Sequence, residues 1–460
     1  MSRTVDRIAV VGAGAAGSLF TAALARRIAA DRQGATAHEV VLIDPAPGPV
    51  RGAAFGTLDR RHLLNVPASG MSYDPDDRFD FVHWCEDQGL ILNVSDTYFF
   101  APRLEWARYL RQRLIRDTAR VKERLSVRQV HARAIGFDRD GAGLIVRTDG
   151  DEDVRVDRVV LATGLPSVGE DWAPEGPVTH PRYVSDPWDS ARFSAVLQGE
   201  KDVVVVGAGL TMVDVALSVL DSHPDRRVVA VSRTGVLPRA HAPEYLGEVV
   251  PDVRGWGSTT AEINAAAHAH ISAVAQLQGN WRPGVDGIRY RVAELWGRLS
   301  EAERGVFLRE VVRGWNVRRH RMPASSAAVI AEALASGRLE VRAMKVDAVD
   351  FGPERVTLTS GDGQSASGGW LVNCSGPRTD IRTLDNPAYD ALLGATGGPA
   401  WGATDAHGLG VTTRDGQVLT PEGQPTPIWT LGALRRGELW ESTAIPEIRQ
   451  QAADLAAALF

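Results

Sequence analysis

The stretch Ile8-Ala9-Val10-Val11-Gly12-Ala13-Gly14-Ala15-Ala16-Gly17-Ser18 decides how the rest of the chain is read. Four apolar residues run straight into glycines spaced G-x-G-x-x-G. An apolar run this short, ending in glycine, reads as a buried strand and not as a secretory leader. The run Phe20-Thr21-Ala22-Ala23-Leu24-Ala25 follows with helix-forming residues, so the glycines occupy a strand-to-helix turn. Gly12 supplies the tight turn, Gly14 lets the backbone approach an anion, and Gly17 lets helix pack closely on strand. The unpaired N–H groups and the dipole of the helix start favour a pyrophosphate lying against Gly14, Ala15 and Ala16.

A second apolar strand, Val40-Val41-Leu42-Ile43, ends in Asp44, with Pro45 beside it. This acid lies somewhat further past Gly17 than the ~20 residues typical of a dinucleotide fingerprint. A longer crossover through Asp31–His38 accounts for the excess. Asp44 is expected on the ribose hydroxyls of the bound dinucleotide's adenosine. Strand, glycines, helix, strand and terminal acid in that order point to a dinucleotide far more strongly than the glycines alone.

The pattern returns at Val203-Val204-Val205-Val206-Gly207-Ala208-Gly209-Leu210-Thr211-Met212-Val213-Asp214, leading into a helix over Val213–Leu220. Met212 stands where a third glycine would be, so this helix is expected to sit slightly further from its strand. Gly207, Gly209, Leu210 and Thr211 keep the phosphate-facing positions. The next strand, Val228-Val229-Ala230-Val231, runs into Ser232-Arg233-Thr234. An acid there would suit the free 2′-hydroxyl of NAD, whereas Arg233 offers a cation to a 2′-phosphate. NADPH is therefore expected over NADH; the competing reading of Arg233 is a solvated surface charge. Two such units imply two dinucleotides, with hydride passing from nicotinamide to flavin.

The bulk properties agree. At 460 residues the chain exceeds one ordinary core, so two domains are expected. Net charge is −6 with no basic stripe, which argues against a nucleic-acid partner. No stretch of ~18 apolar residues exists, so no membrane partner is expected, and a cytoplasmic protein fits. Cys85 and Cys374 are the two cysteines, far apart, so neighbouring thiols cannot form a redox dithiol. Metal-ligand spacing is absent, and His268 and His270, two apart, do not share a helix face.

Val159–Ala162 and Leu371–Cys374 are strand-like and each runs into glycine, at Gly164 and Gly376. They mark the crossings out of and back into the first domain. The fold expected is α/β, with two Rossmann-like dinucleotide-binding domains, the NAD(P)H domain being inserted in the FAD domain. Boundaries are placed at 1–195 and 371–460 for FAD and 196–370 for NAD(P)H. Within the latter, residues 240–319 read as a helical insert: Thr260–Gln278, then Asn280-Trp281-Arg282-Pro283 as a breaker, then Arg289–Trp315. A lid or substrate wall is its expected role.

Beyond these motifs the chain resembles the two-dinucleotide flavoproteins related to N-hydroxylating, flavin-containing and Baeyer–Villiger monooxygenases. It is similar, closer still, to a bacterial group of FAD/NAD(P)-binding proteins with varied activities. His62–Pro67, Val206–Asp214, Trp315–Arg321 and Leu431–Arg449 carry the resemblance. It implies that Phe55, Gly56, Asn65, Val66 and Pro67 line the flavin side, that Arg103 contacts FAD, and that Ala134, after Arg133, meets adenine through the backbone. Trp106-Ala107 departs from the Tyr-Gly more usual in the group. The resemblance also sets Gly432 and Thr443-Ala444-Ile445 against the isoalloxazine. Independently, Ser442 or Thr443 can cap a helix with Pro446 in its first turn, aimed to stabilise reduced flavin. A plain surface helix is the alternative. Gly176-Pro177-Val178-Thr179-His180 has the spacing of the linker motif of flavin-containing monooxygenases and suggests a hinge.

The activity expected is an NADPH-dependent FAD monooxygenase using C4a-(hydro)peroxyflavin chemistry. Its partners are O2 and a small-molecule substrate, with the nitrogen of an amino acid or amine as first expectation by analogy. The flavin carries the chemistry, so no side-chain nucleophile is needed. Arg239, His241 and His320 are the candidates for catalytic side chains. The rivals are an FAD-dependent NAD(P)H reductase or dehydrogenase without oxygen insertion, and a flavoprotein that only senses. The oligomeric state is left open.

Overall fold

The computed structural model describes residues 5–460 apart from positions 33, 35, 94, 142, 166, 167 and 177. The readings made on residues 1–4 and on Pro177 therefore lie outside the described residues. The strand Val5–Val11 is the interior of a seven-stranded sheet. It pairs in parallel with Ala37–Ile43 on one side and Arg158–Leu161 on the other. Leu125–Val130 continues the first side, and Pro425–Thr430 the second. Two short antiparallel strands, Gln417–Leu419 and Thr413–Arg414, finish that edge.

Ile8, Ala9 and Val10 are all fully buried, so the unbroken apolar run has a direct cause. A parallel sheet covered on both faces cannot alternate polar and apolar residues. Helices Ala15–Ala30, Arg103–Arg120 and Ile445–Leu459 cover one face. The other face carries a three-stranded antiparallel sheet, Ala134–Asp140, Gly143–Thr148 and Val154–Val156, and the short helix Pro387–Leu392.

The second unit repeats this plan. Its five parallel strands run in the order Leu339–Ala343, Val228–Ser232, Val203–Val206, Trp370–Asn373, Tyr183–Val184. Helices Ser190–Gln198, Leu210–Ser222 and Ala324–Ala335 pack on one face. The meander Ala348–Phe351, Val356–Thr359, Ser365–Gly368 packs on the other.

The insertion of one unit in the other is present, but its edges differ from residues 195 and 370. Tyr183–Val184 and Trp370–Asn373 both belong to the second sheet. An isolated bridge between Val168 and Pro377 ties the two connecting segments together. The crossings thus lie near Gly164 and Gly376, which both take the left-handed backbone that glycine allows.

The helical insert opens at Thr260–Gln278, as its periodicity indicates, with Thr259 and Glu262 forming a capping box. Pro283 does not break a helix. It sits in the first turn of Arg282–Ile288, where a missing N–H costs nothing. The remainder is not one helix but pieces: Arg289–Arg291, Val292–Arg298, Glu301–Val306, the π-helical turn Phe307–Val311, and Val312–Arg319. Its apolar core includes Ile288, Leu295 and Trp296, and takes in Leu409 and Trp440 from the chain's return to the first unit.

Candidate functional site

The first glycine turn is shaped as its sequence demands. Gly12 has φ +103°, and a Cβ there would lie 2.4 Å from the Ala162 carbonyl oxygen. A Cβ on Gly17 would lie 2.0 Å from the Gly12 oxygen, so helix and strand touch backbone to backbone. Gly14 is different. It precedes the helix Ala15–Ala30, no side chain caps that helix, and no acid lies in its first turn. The helix start is left for an incoming anion. Asp44, at the end of the second strand, braces the turn: Ala13 N–H donates to its Oδ2 and Ala46 N–H to its Oδ1, both at 2.8 Å.

Around this turn, Phe55 packs at a tilt on the buried Trp106 with ring centroids 4.2 Å apart, and Gly56 N–H closes a turn onto Gly52 O. Val50, fully buried with φ +62°, donates its N–H to Ala13 O at 2.7 Å. A β-branched residue in that region is strained, and its place against the phosphate turn gives no sequence signal. Pro45 is exposed. Arg133 spends both its backbone groups on Asp149, while Ala134 is buried at the head of its strand.

The C-terminal helix starts at Ile445 with Ala444 as its cap residue, and neither Ser442 nor Thr443 caps it. Thr443 is exposed. The Ser442 hydroxyl is fully buried and has no hydrogen-bond partner. Pro446 lies in the first turn, as expected. Gly432, at φ +77°, donates its N–H to Gln451 of this helix at 2.9 Å. An uncapped helix start beside an orphaned hydroxyl fits the pyrimidine edge of a flavin, which would supply the missing partners.

The second turn copies the first. Gly207 has φ +113°, and a Cβ there would lie 2.1 Å from Cys374 O. A Cβ on Gly209 would meet nothing within 4 Å, and the helix from Leu210, with Thr211 in its first turn, also lacks a side-chain cap and an acid there. Met212 is completely buried in the second core. Arg233 is exposed just past the strand Val228–Ser232.

The two cradles are joined by a buried polar network that the sequence does not announce. Arg103 Nη2 pairs with Asp214 Oδ2 at 2.7 Å, while its Nε donates to Leu63 O. The Arg103 guanidinium is thus committed to the other domain, beneath Trp188, at a position the resemblance assigns to FAD. His62 meets Ser218 at 2.9 Å and Thr57 at 2.8 Å, and Ser218 donates to Asp59 at 2.6 Å. Arg61 pairs with both Asp59 and Asp221. Burial acts to raise the Asp59 carboxyl, but hydrogen bonds from Arg61 and Ser218 hold it at about 2. Burial pushes Asp214 up, with Arg103 pulling against it.

Of the candidate catalytic side chains, His241 is the one brought against Asn65. Its ring lies 3.1 Å from the Asn65 carbonyl and 3.4 Å from Tyr98 Oη, and packs at a tilt against Phe100. Asn65 leads into Val66 and Pro67, so this edge of the expected flavin wall is touched directly. Burial, then the charge of Arg321, drive His241 down to about 3. His320 ends the helix Val312–Arg319; burial and Arg319 lower it to about 4. Arg239 is exposed and contributes backbone bonds to Val317 and Met322. Arg321, almost wholly buried, pairs with Asp286 at 2.5 Å and leaves Nε and Nη1 without partners.

Both thiols are buried. Burial, with Glu105, raises Cys85 to about 12, and Cys374 is raised well above its ordinary value by burial and Asp214. Neither is a thiolate nucleophile. Among the described residues no cluster of metal-ligating side chains occurs, and no helix is long and apolar enough to cross a membrane.

A protein-family profile described as FAD-NAD(P)-binding matches residues 9–166 of this chain. Among curated proteins, no sequence matches it. Solved structures resemble it over almost its full length. Ornithine hydroxylase from Pseudomonas aeruginosa, in its reduced form, is 14% identical with a TM-score of 0.65, covering 99% of each chain. L-lysine 6-monooxygenase from Pseudomonas syringae is 18% identical with a TM-score of 0.63, covering 99% of this chain and 98% of that one. Ornithine N-hydroxylase from a Kutzneria species is 16% identical at 0.62, covering 99% and 98%. At these identities the likeness shows the fold: the two-unit, dinucleotide-type α/β architecture that these hydroxylases share.

Proposed function

We propose that the protein is an NADPH-dependent FAD monooxygenase that hydroxylates the nitrogen of a small amine or amino acid. The observation that carries this reading is the pair of open cradles at Gly14 and Gly209, held together by Arg103 and Asp214. Each cradle presents an uncapped helix start with no acid in its first turn. The matched family is described as FAD-NAD(P)-binding. The Kutzneria relative is described with reduced FAD, NADP+ and L-ornithine, and a further relative as a cadaverine monooxygenase bound to FAD.

The residues present fit the two groups. Gly14, Ala15 and Ala16 would hold the FAD pyrophosphate, and Ser442 with the Ile445 helix start the isoalloxazine. Gly209, Leu210 and Thr211 would hold the NADPH pyrophosphate, and Arg233 its 2′-phosphate. When bound, the flavin would supply the redox chemistry, a two-electron link between NADPH and O2. One oxygen atom ends on the amine nitrogen, giving R–NHOH from R–NH2, and the other leaves as water with one proton consumed. The chain's own work is positioning and exclusion of water. His241, kept neutral, presents a fixed ring to the Asn65 edge. At the start of the closing helix Pro446 has no N–H and those of Glu447 and Ile448 bond to Ala444 O, so the Ile445 N–H and the helix dipole would favour negative charge on the reduced flavin.

Anaerobic reduction of the purified holoprotein by NADPH, followed by mixing with O2, tests the reading. A transient absorbance distinct from oxidised and reduced flavin, with hydroxylamine formed from an amine, is the expected result. Direct reoxidation without the transient identifies a reductase instead. A protein that NADPH does not bleach is neither.

A further inference from the structure

An apolar cavity in the helical insert has no part in either cradle. It holds about 80 Å³ of space, is partly open to the surface, and is walled chiefly by Ile263, Trp296, Phe307, Val311, Trp315 and Trp440. Two backbone irregularities from separate parts of the chain both serve it. The first is the π-helical turn Phe307–Val311, which interrupts the helix running from Glu301 to Arg319 and sets Phe307 and Val311 in the cavity wall. Such turns concentrate at functional sites.

The second irregularity is Trp440. It has φ +60° and ψ −69°, with Glu441 N–H bonded to Leu439 O at 2.8 Å, which is a γ-turn of the rare strained kind. A bulky aromatic pays for that conformation only where the surroundings fix it. Its ring lies 4.9 Å from Trp296 and 5.0 Å from Phe307, at the cavity wall.

The cavity is also wired to the closing helix. Ile288 lines it, and the next residue, Arg289, pairs with Glu447 at 2.5 Å in the first turn of that helix. Trp315 lines it too, and its Nε1–H donates to Glu441 at 3.1 Å, next to Trp440. Trp440 stands five residues before Ile445, so its backbone lies within roughly 18 Å of the helix start even at full extension. Trp440 also stands two residues before Ser442, so its backbone lies within roughly 7 Å of the residue whose buried hydroxyl is expected at the flavin edge.

We infer that this cavity is the substrate subsite for an uncharged apolar group, either a branched aliphatic group or a single ring, carried by the amine whose nitrogen is oxidised. The inference rests on the proposed monooxygenase reading for the chemistry, but the binding it predicts does not. No charged side chain lines the cavity; Thr260 and Asn264 are its polar groups. A second ammonium or an α-carboxylate would be desolvated there without a partner, at a cost that excludes it. The free space is below the ~150 Å³ of a dry cavity that admits benzene, so a ring would lie partly outside the enclosed volume.

Benzylamine and isobutylamine, with ornithine as the charged control, test this on the holoprotein by calorimetry and by quenching of tryptophan fluorescence. Both apolar amines are expected to saturate, and ornithine to fail to compete. Ala267, half-buried, also lines the cavity. Ala267→Phe and, separately, Val311→Phe fill the space, and each is expected to weaken benzylamine binding about tenfold or more with flavin content unchanged. If ornithine binds as well as benzylamine, or if folded variants of both kinds bind benzylamine as wild type does, the assignment is wrong. Saturable binding lost in both variants, without NADPH-driven turnover, upholds the subsite and overturns the monooxygenase reading.

Discussion

Arg103 and Asp214 form an ion pair of 2.7 Å although 111 positions separate them, and it joins the helix Arg103–Arg120 of the first unit to the helix Leu210–Ser222 of the second. Asp214 stands in the second turn of that helix, five residues past Gly209. Whatever moves the second glycine turn relative to the first unit must break or carry this pair.

Removing one partner leaves a buried group uncompensated. Arg103→Ala strands Asp214 among Cys374, His62 and Asp59, and Asp214→Asn strands the guanidinium. Each is expected to cost on the order of 3 kcal/mol. Urea unfolding of the two single variants and the double variant measures it. Singles as stable as wild type would mean the pair carries no structural role.

The glycines divide into two kinds. Gly12→Ala and Gly207→Ala force a Cβ into carbonyl oxygens at 2.4 and 2.1 Å and into a left-handed backbone. A loss of about 2 kcal/mol or more is expected for each, read by thermal unfolding. Gly14→Ala and Gly209→Ala meet no such contact: the nearest atom to a Gly14 Cβ is 3.7 Å away. These two are expected to fold with near wild-type stability and to lose flavin and NADPH binding respectively. Flavin absorbance and NADPH titration report the difference.

Arg233 is expected to select the phosphate. Arg233→Ala removes a charge-assisted contact worth roughly 1.5–3 kcal/mol, so KM for NADPH should rise about tenfold or more while KM for NADH stays put. Equal effects on both cofactors would reduce Arg233 to a surface charge.

His241 and His320 have folded pKa values of about 3 and about 4, below the ordinary 6.5. A depressed value means the unfolded chain binds the proton first. The stability these rings contribute is complete above pH ~6.5 and falls as pH drops toward 4, by ~1.4 kcal/mol per pH unit for each ring. Denaturation at stepped pH should display that acid limb, and His241→Gln should make it shallower. Neither ring should appear as a titration near neutrality in the pH–rate profile.

Local order along the chain was enough to fix the parallel strands, both glycine turns and the insertion of one unit in the other. Ile8–Val11 and Val203–Val206 are apolar without interruption because both sheet faces are covered, and that requirement is written residue by residue. The conformations of Gly12 and Gly207 are likewise local, since close backbone approach admits no side chain. Ser442 and Thr443 had the right chemistry for a cap but not the role, because the backbone reaches helical geometry only at Ile445.

What pairs across distance was decided by packing alone. Arg103 meets Asp214, His62 meets Ser218, and Trp440 meets Trp296 because two folded units set their surfaces together. No spacing or periodicity encodes such contacts. The edges of the inserted unit moved for the same reason: Tyr183–Val184 is a strand only because Leu371–Val372 lies beside it. Strand runs and turns are short-range chemistry and can be read in one dimension. The walls of a pocket and the partner of a buried charge exist only once distant segments exclude water from between them.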